Sequence, residues 1–109
     1  MGIAASINFQ YVSNITDMVS MFCDSKFNDD ISKWNVSNVK SMEDMFYKSE
    51  FNGDISKWNV SNVTNMVGMF YGSKFNGDIS NWDVSNVKFK LYIFDNCPIA
   101  EKYKPKFKK

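Results

Sequence analysis

Histidine and arginine are both missing from this chain of 109 residues, and its 13 basic side chains are all lysine. The first absence removes the commonest general base and metal ligand. The second removes the bidentate fork that reads guanine or clamps phosphate. Both weigh against an enzyme, and neither a Gly-rich phosphate loop nor a G-x-S-x-G elbow is present. No apolar run comes near the ~20 residues of a spanning helix, which excludes a helical membrane span. A net charge of +1 gives no overall pull toward nucleic acid, so none is expected as a partner. No charged stretch followed by an apolar one opens the chain, and no early cysteine offers a lipid-attachment point. What is there is a globular composition, 44% hydrophobic and 23% charged, with room for a single domain over residues 1–109.

Repetition organises it. Val-Ser-Asn-(Ile/Val) recurs at Val12, Val36, Val60 and Val84, in steps of 24 residues. The same step relates Phe27, Phe51 and Phe75, then Asp30, Asp54 and Asp78, then Ile31, Ile55 and Ile79, and Trp34, Trp58 and Trp82. It also relates Met18, Met42 and Met66, then Met21, Met45 and Met69, and Phe22, Phe46, Phe70 and Phe94. A fixed period in this range predicts a stacked solenoid or array.

Within one period two patterns alternate. Trp34 and Val36 fall on one side of the segment 31–37, with Lys33, Asn35 and Ser37 on the other, which predicts a short strand. Val39, Met42, Met45 and Phe46 then follow the stripe of a two-turn helix, with Ser37 or Asn38 as its N-cap. Asn-Gly at 52–53 and 76–77 supplies turn chemistry. Stacked repeats would turn the apolar columns into a continuous core, with the strands forming a parallel sheet. The tryptophan column could instead be an exposed stacking platform, but its alternation with Val36, Val60 and Val84 favours the core. The methionine columns read as core filler and not as a metal site.

The unit FNGDISKWNVSNVTNMVGMFYGSK, residues 51–74, resembles the repeat of BspA-type leucine-rich-repeat surface proteins. Within them it is similar to the mycoplasma-type surface lipoprotein branch, marked by F-N-x-D-I-S-x-W-x-V-S-N-V-T-x-M-x-x-M-F. The match runs through Phe51, Asn52, Asp54, Ile55, Ser56, Trp58, Val60, Ser61, Asn62, Val63, Thr64, Met66, Met69 and Phe70, and the likeness spans about residues 10–98. It implies an α/β repeat: a short, right-handed, leucine-rich-repeat-like solenoid with a parallel sheet on one face and short helices on the other. It implies adhesion or protein recognition at cell surfaces, a protein partner, no catalytic residue and no cofactor. The chain departs from the family in holding barely four repeats and in lacking secretion features.

The ends break the period. Residues 1–11 read as an N-terminal cap, 12–87 as the repeats, and 88–109 as a C-terminal cap and basic tail. Cys23 and Cys97 fall three repeats apart, ~14 Å at strand spacing, beyond the ~7 Å reach of a disulfide. Two free thiols are expected, which favours a reducing compartment. Stacked Asp30, Asp54 and Asp78 would repel one another by roughly 1–3 kcal/mol per neighbour pair. Either each accepts N–H bonds in its own turn beside a ladder of Asn28, Asn52 and Asn76, or Ca²⁺ sits between repeats. The calcium-binding nonapeptide pattern is missing, which favours the turns and no metal. Lys26, Glu50 and Lys74 alternate in sign along an outer column.

Two candidate sites remain. The outward strand face, Lys33, Asn35, Ser37, Lys57, Asn59, Ser61, Asn81, Asp83 and Ser85, is the expected partner-binding surface, set against a plain solvent-facing role. Met1-Gly2-Ile3-Ala4-Ala5-Ser6 fits the N-myristoylation pattern at Gly2. A single acyl chain needs a second signal, which the lysine tail, +4 over residues 101–109, would supply. The alternative to an interaction or adhesion module is therefore a lipidated peripheral membrane protein, with membrane contact only in that case and a monomer in both.

Overall fold

The computed structural model describes residues 14–107. The repeats stack in register, and every chemical column becomes a row in space. Met18, Phe22, Ile31, Trp34, Val36, Val39, Met42, Met45, Phe46 and Phe51 are buried, as are their counterparts 24 residues on from Ile31 to Phe51. The rings of Phe22, Phe46, Phe70 and Phe94 form one column, with successive centroids 5.5, 5.5 and 5.8 Å apart. Trp58 stacks on Trp82 at 6.5 Å. Their indole N–H groups donate to Ile31 O and Ile55 O of the preceding repeat at 3.1 and 3.0 Å, which fixes the tryptophans as core. Burying each large apolar side chain contributes roughly 1.5–3 kcal/mol.

The backbone that carries these columns is not the expected one. Among the described residues there is no α-helix and no extended strand, so the α/β solenoid of sheet and helices, and with it the leucine-rich-repeat architecture, is overturned. Regular structure among the described residues amounts to a 3-10 turn at Glu101–Tyr103 and parallel single-residue bridges linking Asp17 to Ser41, Ser41 to Asn65, and Asn65 to Phe89.

Where a helix was expected, backbone N–H groups alternate between two destinations. Those of Met42, Asp44, Phe46 and Lys48 donate to Asn65, Val67, Met69 and Tyr71 of the next repeat, at 2.7–2.9 Å. Those of Met45, Tyr47 and Ser49 donate three residues back, to Met42, Asp44 and Phe46, at 3.0–3.2 Å. A helix would send every one of them four residues back. The cause is a left-handed residue at every fourth position: Asp44 and Lys48 have φ of 54° and 51°, and Gly68 and Gly72 have 63°. Ser20, Asp24, Tyr92 and Asn96 hold the same two columns with the same sign of φ.

The expected strand 31–37 is a pair of turns. Trp34 N–H donates to Ile31 O at 3.1 Å and Val39 N–H to Val36 O at 3.0 Å, and both bonds recur in the next two repeats. Asp30 Oδ1 accepts the N–H of Ser32 at 2.9 Å, and Asn35 Oδ1 that of Ser37 at 3.0 Å. These side chains take the very N–H groups a strand would offer its neighbour, which is why turns win over a sheet.

Beyond Cys97 the chain keeps the 24-residue register for part of one more repeat. Ile99 takes the position of Phe75 one repeat on and is buried, as is Pro105. Tyr103 O accepts the N–H of Ile79 at 3.0 Å. Phe107 packs against the core beside Tyr103.

Candidate interaction surface

The expected binding face survives as a surface, although it stands on turns and not on strands. Lys33, Asn35, Lys57, Asn59, Asn81, Asp83 and Ser85 are exposed, and Ser37 and Ser61 are half-buried. Much of its polarity is committed locally. Asn59 and Asp83 accept both the N–H and the hydroxyl of Ser61 and Ser85, at 2.7–3.0 Å. Lys33 and Lys57, one repeat apart, line an open cleft of about 220 Å³ with Ser32 and Asp54.

Beside it runs the aspartate column. Asp54 and Asp78 cap Ser56 and Ser80 as Asp30 caps Ser32, at 2.9 and 3.0 Å. Hydrogen bonds from these serines hold all three carboxyls below their usual range, with Lys33, Lys57 and Lys102 adding attraction. Asn28 and Asn52 accept the N–H groups of Asn52 and Asn76 at 2.8 and 2.9 Å, completing the asparagine ladder. The aspartates thus serve their own turns.

A groove over the alternating segment that runs from Met42 to Lys48 was not read from the sequence. Tyr47 stacks on Tyr71 at 5.1 Å, and Tyr92 meets Tyr71 edge-on at 6.5 Å. With Asp44, Val67 and Gly68 they line about 280 Å³ of open space. Burial, with the neighbouring Glu43 charge second, raises the Asp44 carboxyl. Column arithmetic places Asp95, not a tyrosine, after Tyr71. Tyr92 arrives from the column of Gly68, so the signal crosses registers.

Both cysteines are free. Cys97 takes the place of Ser25, Ser49 and Ser73, and its thiol lies 3.1 Å from Phe75 O. Burial raises the pKa of both thiols.

Residues 2–107 match the family described as Mycoplasma protein of unknown function, DUF285. The chain belongs to this family. No curated protein and no solved structure matches it. Membership agrees with the mycoplasma-type repeat resemblance at the level of the family, and the family's description assigns no activity. Gly2 falls inside the family match but outside the described residues, and residues 1–11 of the expected N-terminal cap also lie outside the described residues.

The last repeat of this chain carries an exposed apolar patch. Phe89, Leu91 and Tyr92 are 58, 68 and 59% exposed. Lys90 Nζ sits 5.6 Å from the Phe107 ring and Lys104 Nζ 5.3 Å from that of Phe94. Lys104 also pairs with Glu101 at 3.0 Å.

Proposed function

We propose that this chain is a non-enzymatic protein-interaction module with an adhesive role at a cell surface. The observation that carries the reading is the repetition of Lys33 and Lys57, and of Asn35, Asn59 and Asp83, on turns locked by their own side-chain bonds. Such rows offer a protein partner the same chemistry at successive steps, on a support with a continuous buried apolar core. The association of the family with BspA-like surface repeat proteins supports the surface role.

The test is adhesion of beads coated with the chain to cultured host cells. Lys33→Gln with Lys57→Gln should lower adhesion several-fold with little change in the unfolding midpoint, because both side chains are exposed and solvent screens their attraction to Asp30 and Asp54. Equal adhesion by the variant and its parent would remove this row as the binding face.

A further inference from the structure

We propose that the C-terminal end of the molecule is a docking surface for an anionic phospholipid membrane, with Phe89, Leu91 and Tyr92 entering the interface and the nearby lysines meeting the headgroups. This goes beyond the interaction module, uses a different face, and needs no acyl chain at Gly2.

The columns supply the first argument. At the position of Phe89 the preceding repeats carry Ser41 and Asn65, at that of Leu91 Glu43 and Val67, and at that of Tyr92 Asp44 and Gly68. The last repeat replaces mostly polar or small residues with large apolar ones, at sites left more than half exposed. Packing of the core does not account for them there.

Charge supplies the second. Residues 88–109 hold seven lysines against Asp95 and Glu101, a charge of +5, while residues 1–87 hold six lysines against ten carboxylates, a charge of −4. The basic and apolar groups are interleaved: Lys90, Leu91, Tyr92, Lys104, Pro105 and Phe107 line one open cleft of about 350 Å³. Lysine stems lying along apolar surface with their amines outward suit the boundary between headgroups and acyl chains. An acidic protein would satisfy the lysines but would also need a matching pocket for three projecting side chains. A lipid interface accepts both without a fixed shape. The −4 body would be repelled by the same membrane, so the chain would stand end-on.

The experiment is co-sedimentation with vesicles of phosphatidylcholine alone, or of phosphatidylcholine mixed with phosphatidylserine. The chain should sediment with the second and not the first, and added salt should release it. Phe89→Ser, Leu91→Gln and Tyr92→Gly together should cut partitioning about tenfold or more. Serine and glycine already occupy two of these columns, so an unchanged unfolding midpoint checks that the fold is kept. Lys90→Gln with Lys104→Gln, the two lysines that line the cleft, should weaken binding to the mixed vesicles several-fold. Failure to bind them, or equal binding by the apolar triple variant, overturns the proposal. So does a parent chain that ignores vesicles yet self-associates while the triple variant stays monomeric, which would make the patch a contact between copies.

Discussion

Asp44 Oδ1 occupies the space that a Cβ on Gly68 would need. The two residues belong to one column, one repeat apart, and both are left-handed. Gly68→Ala therefore meets two penalties, a positive φ for a residue with a Cβ and displacement of a half-buried carboxylate. The left-handed conformation alone costs roughly 1–2 kcal/mol. The expected loss is about 1–3 kcal/mol in urea-induced unfolding, with overpacking of the groove adding to the backbone term.

Asp44 itself is held against its preference. Burial and the Glu43 charge raise its carboxyl in the folded state, so the folded chain binds this proton more readily than the unfolded one. Stability should then fall as pH rises from the ordinary aspartate value, about 3.9, through the raised folded value, and the penalty should be complete above it. Asn carries no charge and tolerates positive φ. Asp44→Asn should raise stability at neutral pH by on the order of half a kcal/mol, a gain limited by solvent screening. Thermal unfolding followed against pH should show that gain vanish on the acid side. A constant difference at every pH would exclude charge as its cause.

Asp30, Asp54 and Asp78 carry the opposite sign. Serine hydrogen bonds depress their folded pKa, so their contribution is complete above the unfolded value near 3.9 and is lost as pH falls through the lower folded values. Replacing all three with Asn keeps an oxygen for each serine N–H but removes the titration. The variant should be less stable than the parent at neutral pH and should lose less stability below pH of about 4. An acid limb as steep as the parent's would place its origin in other carboxylates.

The buried columns could be read directly, because successive repeats place the same apolar type at the same step, and Ile31, Trp34, Val36, Met42, Met45 and Phe46 are all buried. The backbone could not. Burial of Met42, Met45, Phe46 and Ser49 follows the spacing of one helix face. Consecutive turns with a left-handed residue every fourth position produce the same spacing. Gly68 and Gly72 were the available sign, since two glycines four apart disfavour a helix. Their column-mates Asp44 and Lys48 masked it. At the surface, Lys33 and Lys57 were legible as an exposed row. The tyrosine groove was not, because Tyr92 joins Tyr47 and Tyr71 from another column.

Lys48 offers a test that separates the two backbones. On a helix, glycine at an exposed interior position costs roughly 0.5–1 kcal/mol. Lys48 instead has φ of 51° and shares its column with Gly72. Glycine there relieves a left-handed strain of roughly 1–2 kcal/mol, offset by its greater freedom in the unfolded chain. It also loses the amine contact over the Tyr47 ring at 5.5 Å, worth about 0.5 kcal/mol at an exposed site. Lys48→Gly should thus fall between neutral and a gain of about 1 kcal/mol. The reciprocal Gly72→Ala should lose about 1 kcal/mol or more, because its new Cβ gains a strained φ and lies 3.1 Å from Lys48 Cγ. Urea midpoints of the two variants decide the matter. A clear loss for Lys48→Gly, with Gly72→Ala neutral, is the helical signature and would contradict the alternating ladder from Met42 to Lys48.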